Sequence, residues 1–166
     1  MRSQEELERV VREHYPLVKR ICRDWLARFG EAEAEDAVQD VFERWLKSPP
    51  LSKTPFAERA WLIRCAKNRS ADIRRKLLRE RGHLTEMPEE PAAPEDMELG
   101  SLLERQPPEI QLLLRLHYGE GFTWAEIARI LHTTEGAVKM KVSRAKQILR
   151  EQLQEENCNE KTDNQS

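Results

Sequence analysis

Apolar residues recur at helical spacing in several separate stretches of the chain. Over residues 3–29, Leu7, Val11, Val18, Cys22, Trp25 and Phe29 fall on one side of a helix, and Ser3 with Glu6 fits a capping box. Pro16 interrupts this pattern and predicts a kink or a division, and Gly30 ends it. Over residues 35–47, Val38, Val41, Phe42 and Trp45 form one stripe, with Asp36, Gln39, Asp40 and Glu43 off it. The segment SPPLSKTP, residues 48–55, holds three prolines and reads as a loop. A third helix is predicted over residues 56–81, with Leu62, Ala66, Ile73 and Leu77 inward. These three elements can pack as one domain, with Trp25, Trp45 and Trp61 in or near its core.

The helical period then stops. HLTEMPEEPAAPEDMELG, within residues 82–100, has three prolines, many acids and too little apolar surface to fold alone. It predicts a flexible acidic linker. A second domain follows over residues 101–153, opening with a short helix over 101–105. Pro107 and Pro108 then start a helix with Ile110, Leu113, Leu114 and His117 on one face, which Gly119 and Gly121 break. The tail, residues 154–166, is polar and expected to be disordered. The fold class is therefore all-α: an N-terminal helical bundle over residues 1–81, the linker, and a C-terminal four-helix domain.

Charge sharpens this division. The whole chain carries a net charge of −2, which does not describe a uniformly basic nucleic-acid binder. Yet residues 64–81 hold eight Lys or Arg against two acids, residues 83–100 hold six acids and no Lys or Arg, and residues 122–150 hold six cations against two acids. Two basic blocks around an acidic one point to two surfaces that face polyanions.

The second block coincides with the most specific local motif, FTWAEIARILHTTEGAVKMKVSRAKQILREQL, residues 122–153. Thr123 and Glu126 make a capping box for a helix ending near Leu131, with Ile127, Ala128 and Leu131 inward. A tight turn spans His132 and Thr134, and the Thr134 hydroxyl can cap the next helix. That helix carries Val138, Val142, Ala145, Leu149 and Leu153 on its inner stripe. Ala128 and Val138 have the sizes and spacing that two crossing helices of a helix-turn-helix need. With Val138 inward, a 100° step per residue turns Gly136, Lys139, Met140, Ser143 and Arg144 outward, where they can meet base edges in a major groove. Lys141, Arg144, Lys146 and Arg150 suit phosphates, which supply affinity and register. His132 stands where glycine usually provides positive φ, although histidine tolerates it better than most residues. In the first basic block, Arg64, Lys67, Asn68, Arg69, Arg74, Arg75, Lys76, Arg79 and Arg81 crowd one predicted helix with Trp61 at its start, and cations beside an aromatic can hold a phosphate backbone and stack exposed bases.

Other chemistry is not written in the sequence. It has no Gly-rich phosphate loop, nucleophile elbow, metal-ligand spacing or catalytic pair, so no enzyme activity, metal or cofactor is expected. Cys22, Cys65 and Cys158 are scattered and predict neither a disulfide framework nor zinc, and Cys22 and Cys65 read as buried thiols. The charged N-terminus and the lack of a long apolar run predict a cytoplasmic chain with no membrane insertion.

Taken in order, the segments resemble the extracytoplasmic-function class of sigma-70 family factors. AEDAVQDVFERWLK (34–47) is similar to the polymerase-binding helix, FAERAWLIRCAKNRSADIRRKLLRER (56–81) to the promoter-melting and −10 element, and residues 106–151 to the −35 reader. The resemblance implies a factor that binds core RNA polymerase and directs promoter-specific initiation. It assigns Asp36, Gln39, Asp40 and Arg44 to the β′ clamp. The −10 region would fall to Trp61, Lys67, Asn68, Arg69 and Arg75, with loop 48–55 holding a flipped base. The −35 element would fall to Gly136, Lys139, Met140, Ser143 and Arg144. Lys141, Lys146 and Arg150 would meet phosphates. Helix 110–117 would support docking on the β flap, the linker would thread the RNA path, and an anti-sigma factor would be a further partner. Gln106, His132, Thr133 and Met140 depart from the family pattern. The alternative is an autonomous helix-turn-helix regulator with an N-terminal sensor or dimerisation domain.

Overall fold

The computed structural model describes residues 3–81 and 105–163, with the backbone alone for 156–163. It is helical, with no strand among the described residues. The chain divides into two compact units, Met1–Glu90 and Pro91–Ser166. The expected linker over 82–100 and the short helix over 101–105 lie outside the described residues, apart from Arg105 in a turn.

The first unit has three helices, each packed on the other two: α1 (Gln4–Leu26), α2 (Glu31–Lys47) and α3 (Pro55–Glu80). Ser3 caps α1 through a 3.2 Å bond from the Glu6 amide to its hydroxyl. Pro16 does not divide α1, which runs unbroken through it. An internal proline costs about 3 kcal/mol. Burial of an aliphatic side chain returns about 1.5–3 kcal/mol, and Val10, Leu17, Val18 and Ile21 are all buried around the defect. The inward stripe is also wider than the sequence suggests. Val10, Leu17, Ile21 and Leu26 are buried, whereas Leu7, Val11, Trp25 and Phe29 are half-buried. One helix facing two neighbours buries more than one line of residues.

A short 3-10 turn, Ala27–Phe29, closes α1. Gly30, at φ +100°, makes the reversal into α2, which therefore starts one turn before the expected residue 35. The predicted stripe Val38, Val41, Phe42 and Trp45 is buried, with Ala34 and Ala37 added. Thr54 caps α3 by accepting from the Ala57 amide at 3.2 Å. Leu62 and Ala66 are buried as expected, but Ile73 and Leu77 are only half-buried. The core ends near Ser70, so the last turns of α3 project beyond it.

One buried acid ties α1 to α3. Glu58 takes both guanidinium amino groups of Arg9, at 3.2 and 3.1 Å, and lies 3.2 Å from His14 Nε2. Burial works to raise the Glu58 pKa, but the bonds and charge of Arg9, joined by His14, leave it below the ordinary carboxylate value.

The second unit holds α4 (Pro108–Leu114), a π turn (Arg115–Gly119), α5 (Trp124–Ile130) and α6 (Glu135–Asp163). The buried residues of the first element are Leu112, Leu113 and Leu116, whereas the expected Ile110, Leu114 and His117 are half-buried. Leu112, Leu113 and Leu116 keep α-helical spacing, and packing against α6 selects this side of a helix that is apolar on more than one side. The π turn follows it, with Glu120 donating to the Arg115 carbonyl at 3.0 Å. On α5, Ile130 replaces the expected Leu131 in the core. On α6, Val138, Val142 and Ala145 are buried, but Leu149 is half-buried and Leu153 exposed. Helical backbone continues to Asp163, through most of the segment expected to be disordered.

Candidate nucleic-acid interface

The second unit builds its outward face from two caps and a turn. Thr123 and Glu126 make the predicted capping box, with bonds of 3.1 and 3.0 Å in the two directions. After α5, the Thr133 amide closes on the Ala128 carbonyl at 2.9 Å, and the His132 amide on Arg129 at 3.4 Å. This pair is a Schellman motif with His132 at the left-handed position, φ +54°. Thr134 then accepts from the Ala137 amide at 3.1 Å and starts α6. Ala128 and Val138 are both buried, as a close helix crossing requires.

This frame exposes every residue assigned to bases: Gly136, Lys139, Met140, Ser143 and Arg144. A Cβ built on Gly136 would meet nothing within 4 Å, so the glycine answers no need of the fold itself. Lys141, Lys146 and Arg150 are exposed beside them. Three of these cations have internal partners that sequence reasoning did not anticipate. Lys139 pairs with Glu135 at 2.9 Å, and Lys141 with Glu109 at 2.6 Å. Lys146 donates to the Tyr118 hydroxyl at 3.0 Å. Tyr118 belongs to an aromatic group in which His117 stacks on Trp124 at 3.8 Å and donates through Nδ1 to the Phe122 carbonyl at 2.7 Å. Only Glu135, four residues before Lys139, was readable as a partner from spacing.

The first unit offers two polar faces. On α2, Asp36, Gln39 and Arg44 are exposed and Asp40 half-buried, all off the buried stripe. On α3, Asn68 and Arg75 are exposed, while Trp61, Lys67 and Arg69 are half-buried. Arg75 reaches Asp72 at 2.6 Å, and Arg69 reaches Asp40 at 2.7 Å. Loop residue Leu51 is fully exposed.

Cys22 and Cys65 are buried and free. Burial pushes the Cys22 thiol up to about 11, which leaves it without reactive thiolate. The fold does bring Glu13, His14 and Glu58 together, with one ligand atom each within 4.8 Å. The chemistry fits a guanidinium better than a metal, because Arg9 already satisfies both oxygens of Glu58. Among the described residues, no helix is long and apolar enough to cross a membrane.

The profile for sigma-70 region 2 matches residues 10–80, and that for sigma-70 region 4 matches residues 96–149. The chain belongs to the sigma-70 family. Region 4 follows region 2 with only residues 81–95 between the two matches, which is the plan of the extracytoplasmic-function class. As a sigma factor, it serves promoter-specific transcription initiation with RNA polymerase. No curated protein sequence matches it significantly. Among solved structures, the sigma factor resembles the sigma factor RpoE from Bartonella quintana, in a co-crystal with the anti-sigma factor NepR. The TM-score is 0.64 at 20% identity, over 90% of this chain and 98% of that one. At that identity the likeness is one of fold.

Proposed function

We propose that this sigma factor docks on the β′ clamp of core RNA polymerase through Asp36, Gln39, Asp40 and Arg44, opens the −10 element along α3, and reads the −35 element with α6. Domains 1–81 and 101–153 would each hold one promoter element, with 82–100 as the tether. The observation that carries this reading is the face of α6. Its apolar residues are spent on one buried stripe, and Lys139, Met140, Ser143 and Arg144 stand free of the core behind a fixed turn. Lys139 and Ser143 can donate to base edges, and Lys141, Lys146 and Arg150 suit the flanking phosphates.

On α3, Trp61, Lys67, Asn68, Arg69 and Arg75 supply stacking and cationic groups for a separating strand. Loop 48–55 is the candidate pocket for an extruded base, whose unstacking costs a few kcal/mol. The α4 segment is the candidate contact for the β flap. An anti-sigma partner follows by analogy with the RpoE–NepR complex. A cytoplasmic location follows from the partners. Polymerase supplies the chemistry, and this chain supplies position and strand opening.

The test is a gel shift on promoter DNA with and without core polymerase, followed by run-off transcription on genomic fragments. A sigma factor gives weak binding alone and a specific, start-site-defined transcript with core. Tight binding to duplex operator DNA without core, and no transcript with it, would instead fit the autonomous regulator.

A further inference from the structure

The Asp40 carboxylate does not stand alone on α2. Arg69, from α3, donates Nε–H to Asp40 Oδ2 at 2.7 Å. The two side chains are about equally placed at the surface, 39% and 35% exposed. A charge-assisted bond of this length fixes the carboxylate against a second helix. The bond uses Nε alone. Asp40 keeps acceptor capacity, and the terminal amino groups of Arg69 keep donors. Arg44 lies one turn further along α2, and Cys65 one turn before Arg69 on α3. Both arginines and Asp40 act on the Cys65 thiol, which places the four side chains in one neighbourhood. Two faces assigned to different partners, polymerase and DNA, therefore meet at one ion pair.

We propose that Arg69 is a positioning residue of the polymerase-docking surface. Its ion pair holds the Asp40 carboxylate ready, so α2 and α3 build that surface together. Core binding and strand capture then share one guanidinium. The inference rests on the assignment of Asp40 to polymerase. A plain staple between helices is the competing explanation. However, α2 and α3 already bury Val38, Val41, Trp45, Leu62, Ile63 and Ala66, and a half-exposed pair adds little to that core.

The experiment titrates full-length labelled protein with core polymerase in the absence of DNA. Arg69→Ala should weaken core binding about two- to fivefold at low salt, the range a surface ion pair supplies. Arg69→Lys should recover part of the loss, and the loss should shrink as salt rises. In an Asp40→Ala background, Arg69→Ala should add no further loss. Unchanged thermal melting separates positioning from a folding defect, and Arg69→Gln replaces the alanine variant if that one melts early. Wild-type core binding by Arg69→Ala, with Asp40→Ala impaired, would overturn the inference and leave the docking face standing. Independent, additive losses would overturn it too. Wild-type binding by Asp40→Ala would instead remove the assignment on which it depends.

Discussion

The Lys139–Glu135 pair allows a prediction with opposite signs in two assays. The ammonium and carboxylate are 2.9 Å apart and 56% and 47% exposed. Lys139 must leave this partner, wholly or in part, to donate to a guanine. An exposed i,i+4 pair is worth about 0.3–0.5 kcal/mol. The carboxylate also repels a phosphate at about 7 Å by roughly 0.6 kcal/mol in water before screening. Glu135→Gln removes both terms, so promoter affinity of the holoenzyme should rise by about 0.5–1 kcal/mol, or roughly two- to fivefold. The same change takes an acid from the first turn of α6, where it favours the helix by about 0.3–1 kcal/mol. The protein should therefore melt slightly earlier while binding DNA more tightly. The assay is competitive binding of holoenzyme to promoter fragments over graded salt, where the gain should fade as screening grows. In a Lys139→Ala background most of the gain should vanish. A lower affinity, or a changed preference at one −35 base, would refute the reasoning. It would mean that Glu135 itself accepts from a base, as a glutamate can from cytosine N4.

Asp36→Ala and Arg44→Ala should weaken holoenzyme assembly on every promoter without altering −35 preference, as measured by core titration and run-off on paired templates. Ser143→Ala should instead cost about 1–3 kcal/mol at one base position, read by transcription from a promoter library. Thr123→Ala removes one half of the capping box and should destabilise the second unit by about 0.5–2 kcal/mol, read by thermal melting. The depressed Glu58 pKa makes the first unit pH-sensitive. Its stabilisation is fully present above the unfolded value, about pH 4.3, and is lost as the pH falls through the lower folded value. Glu58→Gln should flatten that acid limb of the melting curve.

The order of the described helices and most of their starts follow from apolar spacing and caps, because a 3.6-residue period and a few caps are local properties, whereas the extension of α6 to Asp163 does not. Val38, Val41, Phe42 and Trp45 show this directly, as do Thr123 with Glu126 and the outward set on α6. Interactions set by the tertiary fold were not legible. Glu58 reads as a solvated acid until Arg9 and His14, 49 and 44 residues earlier, are brought against it. Glu109 meets Lys141 across 32 residues in the same way. Residues 110–117 are apolar on more than one side, and packing against α6 decides that Leu112 and Leu116 face inward instead of Ile110 and His117. Of the two outcomes that Pro16 predicts, division is the one that does not occur, because the packing of both flanks holds α1 in one piece. The regions themselves were legible because each motif is continuous in sequence. The cross-helix contact of Asp40 was not, because it joins two of them.

The left-handed histidine at the apex of the reader has a consequence for how mutations would be felt. A side chain with a Cβ costs roughly 1–2 kcal/mol in that conformation, yet the backbone bonds on either side keep the bend. The bend is thus held by these bonds at a cost the apex residue sets, so glycine or asparagine can replace His132 there, whereas a β-branched residue would strain it. Ala128 and Val138 have no such latitude. A bulkier residue at either would swing the whole of α6, and every promoter contact proposed for it would slip together instead of one letter at a time.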